Sequence, residues 1–416
     1  MTSNNPRALL RRLFETAVAA ADPMRCVPAA LPPKPDGRVV VVGAGKASAR
    51  MAEAVEAAWG PCEGLVITRD GYSRPCRGIE IVEASHPVPD ARGRAATTRL
   101  LDLLDGLGPD DTVIALISGG ASALLVQPAG QITLAEKQAI NAALLASGAP
   151  IGEMNIVRKH LSLVKGGQLA SAAWPARMMS LIVSDVAGDD PALIASGPTV
   201  GDRTRPQDAA DILERWSIPV PSSAQDVLSG PRRVLMPDDP RLEAVENRVI
   251  SAPSQSLAAA AYHARSMGCT VEILGDAIEG EARDVAAAHA ATARMRQARG
   301  GHPHLILSGG ECTVTRRGDG VGGPNAEFAL ALALELQGLS GVHALACDTD
   351  GVDGAADIAG AIIGPGTLKQ AQAKGLDPAE ALARNDSHGF FAGIGDQVVT
   401  GPTLTNVNDF RAILVA

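Results

Sequence analysis

The chain repeats one unit: a short run of β-branched and aliphatic residues, a glycine turn, then an alanine-rich stretch with helical spacing. That alternation signals βαβ units and a mostly parallel sheet with helices on both faces. It predicts strands at 38–42, 64–68, 112–117 and 178–183 in the first half. In the second half it predicts strands at 248–252, 270–274, 304–307, 343–346 and 359–363. Near the N-terminus, Leu9, Leu10, Leu13, Phe14 and Val18 recur at helical spacing, so this segment reads as an amphipathic helix. Glu15 interrupts the apolar run that a secretory leader would need. A segment rich in proline, serine and charge, 218–248, reads as a linker or peripheral stretch. It places a boundary within 225–245 and divides the chain into domains 1–235 and 236–416.

With 416 residues the chain is long enough for two cores. Aromatic residues make up only 2%, so alanine and the aliphatics must fill those cores. A formal charge of −9 and the lack of any basic run argue against nucleic-acid binding. The longest uncharged stretch, 112–135, contains Gly119, Gly120, Gln127, Pro128 and Gly130, so it reads as strand and loop and not as a membrane span. The six cysteines form no C-x-x-C pair, which points to reduced thiols and a cytoplasmic setting, without a zinc or redox motif.

The glycine turns carry the candidate chemistry. In GAGKAS, Gly43 and Gly45 let the backbone approach a ligand, and the helix opening near Ala47 favours an anion. Lys46 at a helix start is opposed by the dipole, which a bound anion would explain. Ala47 follows that lysine and Val40 stands at the first glycine place, so the turn is not a Walker A loop. A dinucleotide fingerprint fails at its third position, where Ser48 stands. In SGGAS, Ser118, Gly119, Gly120 and Ser122 can offer hydroxyls and N–H groups to phosphate or carboxylate oxygens. If 153–165 is helical, Arg158, Ser162 and Lys165 share one face suited to a polyanion.

Asp185 lies just past a strand, where open α/β sheets place ligands, and Asp185 or Asp189 suits Mg²⁺. Asp189 and Asp190 suit equally well the capping of a helix at Pro191. The second half adds Glu311, Asn325, Asp350, Asp353 and His388, all in polar turns beyond strand ends.

Together GAGKAS, SHPVPD, SGGASAL, NIVRKHLSLVKGGQLA, SDVAGDD, ASGPT, SGGE, GGPNAEF, DTDGVDG, NDSHGF and TGPTLTNVND resemble the class II glycerate 2-kinase family, in the same order along most of the chain. The resemblance implies an α/β protein. It would have a Rossmann-like parallel-sheet N-terminal domain and a smaller mixed α/β C-terminal (MOFRL) domain, with the active site in the interdomain cleft. It implies an ATP- and Mg²⁺-dependent kinase converting D-glycerate to 2-phosphoglycerate. The family lysine falls on Lys46. Lys46 and Asp185 are then the expected catalytic residues and Asp185 and Asp189 the expected metal ligands. The remaining residues named above are expected to bind substrate or phosphate. Glycerate and nucleotide are the expected partners, with no membrane or nucleic acid, and a homodimer stays open. Some relatives carry the name hydroxypyruvate reductase, so NAD(P)H-dependent interconversion of hydroxypyruvate and glycerate is the alternative. One departure stands out: many relatives have Arg and Gln where this chain has Pro324 and Ala326, and Arg316 or Arg317 would have to compensate.

Overall fold

The computed structural model describes residues 5–301, 303–354 and 356–416. They fall into two compact units: Pro23–Asp185 with Asp189–Ile250, and Met1–Asp22 with Val186–Gly188 and Ser251–Ala416.

The first unit is built on β1 (Val39–Ala44), β2 (Glu63–Arg69), β3 (Ile79–Ala84), β4 (Thr112–Ile117), β5 (Arg177–Val183) and β6 (Val245–Ser251). Their order is β3-β2-β1-β4-β5-β6, and β1 to β5 pair in parallel. This is the strand order of a doubly wound dinucleotide-binding sheet, whose ligand site lies where the order reverses, here between β1 and β4. Both central strands are buried along nearly their whole length, which is why they read as unbroken apolar runs, VVVV and VIALI.

Edge strand β3 was not foreseen, because Glu80 and Glu83 break its apolar run and only its two ends are buried. Its entry is fixed from outside. The buried carboxylate of Glu56, on the Ser48–Trp59 helix, accepts the backbone N–H groups of Arg77, Gly78 and Ile79 at 2.5, 2.7 and 2.9 Å.

The other unit contains β7 (Thr270–Ile273), β8 (Gly280–Glu281), β9 (His304–Gly310), β10 (Cys312–Thr313), β11 (Val342–Asp348), β12 (Gly360–Ile363), β13 (Gln397–Val398) and β14 (Asp409–Val415). Its main sheet runs β13-β12-β11-β14-β9-β7 and is mixed: only β7 and β9 are parallel. Every residue of β14 is buried, yet the strand was not foreseen, since Asp409 and Arg411 interrupt its apolar run. Alternation along the strands splits the core in two. Leu305, Leu307, Leu345, Phe410 and Leu414 pack with the Pro6–Ala20 and Pro253–Ser266 helices. Ile306, Ala344, Ile413 and Val415 pack with the Ala282–Arg299 and Pro324–Leu336 helices.

The compact units therefore divide the chain differently from a split at 235/236. The N-terminal helix buries Leu9, Leu10, Leu13 and Phe14 in the core of the C-terminal sheet, while β6 completes the N-terminal one. Among the described residues, no helix is long and apolar enough to cross a membrane.

Burial alone would raise the Glu56 carboxyl pKa, but the backbone N–H groups outweigh it and hold the pKa below the usual carboxylate value. Its contribution is therefore complete above the unfolded pKa and fades as pH falls through the folded one. We expect Glu56→Gln to lower the unfolding free energy by about 1–3 kcal/mol in urea titrations at neutral pH. The gap to the parent protein should shrink on acidification.

Candidate active site

At the switch point, the turns after β1 and β4 are interlocked. Gly45 has φ +140°, and a Cβ there would collide with the Ser118 hydroxyl and carbonyl. Ser118 is fully buried, and its Oγ accepts the N–H of Ala47 at 3.0 Å, in the first turn region of the Ser48–Trp59 helix. The Lys46 N–H donates to Gly119 O at 2.8 Å. The space around Gly43 and Gly45 is thus occupied by β4 and its turn, so these glycines serve the interlock.

What emerges from the interlock is Lys46, half-buried, with its side chain lying over Gly120. A Cβ at Gly120 would meet Lys46 Cγ at 3.2 Å and His86 Nε2 at 3.1 Å. The imidazole of His86, in SHPVPD, therefore belongs to this site. It was not singled out by sequence reasoning, because nothing local marks the loop after β3 as its neighbour.

Beside this turn, Ser122 Oγ and Ser196 Oγ are 2.9 Å apart, and Ser196 Oγ donates to Asn155 Oδ1 at 3.1 Å. Arg158 Nη1 donates to the same Asn155 oxygen at 3.2 Å. Ala195 and Ser196 both hold positive φ, a costly conformation for non-glycine residues that aims Ser196 into this network.

The helix bearing Arg158 ends at His160, before Ser162 and Lys165, so the three do not share one helical face. The following loop instead pairs with 127–129, through Leu163 N to Gln127 O at 2.9 Å and Ala129 N to Leu161 O at 3.2 Å. Lys165 still reaches the same region by turning inward: it is fully buried and donates to Leu125 O at 3.2 Å. Lys159 and His160 are spent elsewhere, on Asp202 at 2.5 Å and Thr204 at 3.1 Å.

Past β5, Asp185 is partly buried. Asp190 caps the next turn through Ala192 N at 2.9 Å, whereas Asp189 Oδ1 is buried without a protein partner. Among the described residues no three His, Cys, Asp or Glu side chains form a metal cluster. A cation carried by phosphate oxygens needs only one or two carboxylates, so the orphaned Asp189 oxygen fits such a role.

The candidates in the second unit are differently employed. Asp353 accepts the N–H groups of Asn325 and Ala326 at 2.9 and 2.8 Å, closing the N-terminus of the Pro324–Leu336 helix. His388 Nε2 lies 3.2 Å from Asp353 O, and Asn325 Nδ2 donates to Asp409 Oδ1 at 2.6 Å. Asp409 is in turn ion-paired to Arg411. Asn325, Asp353 and His388 are thus brought together in a buried network that holds a helix start. Asp350 is also fully buried and accepts Val352 N at 2.8 Å, while Glu311 is exposed.

Residues 9–229 match a family model described as a domain of unknown function, DUF4147, and residues 304–409 match the MOFRL family. A "D-glycerate 2-kinase" of Thermotoga maritima is 38% identical, covering 97% of each chain. The chain belongs to the class II glycerate kinase family. A crystal structure of glycerate kinase from Thermotoga maritima superposes with a TM-score of 0.88 over 99% of both chains, at 36% identity. An Agrobacterium vitis protein named "Putative hydroxypyruvate reductase" is 53% identical over 98% of this chain and 94% of its own.

Pro324 and Ala326 fit the helix start they occupy. Pro324 is the first helical residue, where a missing N–H costs nothing, and Ala326 is fully buried. Arg316 is folded onto its own loop, donating to Gly318 O at 3.3 Å.

Gly45→Ala tests the interlock. We expect a loss of about 3 kcal/mol or more in unfolding free energy, since the new methyl must displace Ser118 in a backbone conformation L residues avoid. Gly60→Ala is the control: its φ is also positive, at +80°, but its Cβ would meet nothing within 4 Å.

Proposed function

We propose that the chain is an ATP-dependent kinase that phosphorylates D-glycerate to 2-phosphoglycerate in the cytoplasm. The observation that carries this reading is Lys46, anchored by its backbone to Gly119 and lying over Gly120 where the parallel sheet reverses its order. Phosphoryl transfer demands in-line positioning and neutralisation of charge, and little covalent help from the protein. Lys46 neutralises the transferring group, while the Gly119–Gly120 backbone and Ser122 hold oxygens of phosphate or substrate. Arg158 or Lys165 anchors the hydroxy-acid carboxylate. Asp185 takes the proton of the attacking hydroxyl. Asp189, with Asp185, would hold Mg²⁺, which supplies further charge neutralisation on phosphate oxygens. The kinase names of relatives that match the full chain support the same reading.

The reductase reading has the name of a 53% identical relative and the sheet order in its favour. Two features weaken it. Ser48, at the third fingerprint place, is buried and donates to Leu116 O at 2.9 Å. Asp70 follows β2, where a ribose ligand would stand, but Arg92 holds both its oxygens at 2.7 and 2.8 Å.

The deciding assay incubates the protein with glycerate and MgATP, and separately hydroxypyruvate with NADH. Phosphoglycerate is expected; NADH oxidation without it would replace the kinase by the reductase. Lys46→Ala should cut kcat by about 10²–10³-fold with an unchanged melting temperature, and near-normal turnover would remove Lys46 from the mechanism.

A further inference from the structure

Three cations gather in the first unit, two of them buried, and among the described residues each bonds only to a neutral oxygen. Lys165 is fully buried, with Leu125 O as its acceptor. Lys137, on the Leu134–Ser147 helix, is only 3% exposed, and its acceptor, Leu161 O, is 3.5 Å away. Arg158 is half-buried and bonded to Asn155. An ammonium carries three donors, so one carbonyl leaves each amine under-bonded. Burying a charge without a partner is among the costliest things a fold can do.

The cluster also acts on itself. Burial, then the charges of Lys137 and Arg158, drives the Lys165 pKa well below the usual ammonium value. Burial and Arg158 bring Lys137 to about 8. A protein that keeps such a group gives up stability, and the usual return is a ligand that supplies the missing negative charge. Arg158 is the partly exposed member, so it forms the approach, and the two lysines lie behind.

We propose that Lys137, Arg158 and Lys165 form an oxyanion subsite, with Arg158 touching the bound group and the two buried lysines acting as positioning residues through their field. The choice of ligand rests on the phosphotransfer reading: the oxyanion is the carboxylate of the hydroxy acid or a phosphate of the nucleotide. Lys137 has no motif around it and enters only because its helix packs beside the Arg158 segment.

The test uses the full-length protein and its Lys137→Met, Lys165→Met and Lys137→Arg variants. The thermal midpoint is measured without ligand, and calorimetry measures binding of D-glycerate alone and of ADP alone. Methionine keeps the stem and removes the charge. We expect both methionine variants to hold or raise the ligand-free midpoint while weakening one ligand about tenfold or more, and Lys137→Arg to recover part of that binding. Loss confined to glycerate assigns the carboxylate, and loss confined to ADP assigns the phosphate. Unchanged binding of both ligands overturns the subsite, whatever the midpoint does. A lowered ligand-free midpoint in both methionine variants overturns it too, since the lysines would then be structural. Phosphoglycerate formation by the parent protein is scored separately. If it is absent while glycerate binding still depends on Lys137, the kinase reading falls and the subsite stands.

Discussion

The Ser118 hydroxyl occupies the volume that a side chain at residue 45 would require, and there it takes the Ala47 N–H. Two parallel strand ends and one helix start are locked by that single placement. It dictates glycine at 45 and orients the start of the Ser48–Trp59 helix, and the Lys46 side chain lies over Gly120. A cation at a helix start is opposed by the dipole by about 0.3–1 kcal/mol, which a bound anion would offset. The chemistry of the first unit thus begins in a packing constraint.

Charge in this protein is a local matter. The chain as a whole is acidic, at −9, yet Lys46, Arg158, Lys165 and Lys137 gather in one unit, and among the described residues the last three bond only to neutral oxygens. Low-dielectric surroundings make such a group strongly attractive to an oxyanion and expensive to keep empty. The neighbouring Lys159 shows the contrast: equally buried, it is neutralised by Asp202 and simply ties its helix to a loop.

The second unit uses similar residues for support. An acidic glycine loop and strand β14 place Asp353 and Asp409 under the first turn of the Pro324–Leu336 helix, with His388, Asn325 and Arg411 completing the network. Strand β14, which carries Asp409 and Arg411, runs through the middle of the sheet, so these charges are embedded in the core they stabilise.

The sequence by itself determined the class of fold, the central strands, the N-terminal amphipathic helix and the two turns that meet at the switch point. These depend on periodicity and on local backbone needs, which neighbours in sequence control. It also singled out Lys46, Ser122, Arg158 and Lys165. Only the tertiary structure decided what each polar group pairs with. It showed Ser118 as an internal cap, Asp353 as a helix clamp, Asp189 as a carboxylate with an orphaned oxygen, and brought Lys137 and His86, given no role by the sequence, beside the residues it had singled out. It likewise gave the N-terminal helix to the C-terminal core and found β3 and β14 despite their charges. Burial and pairing depend on residues far away in the chain, and a linear pattern carries no record of which distant group arrives to meet a charge.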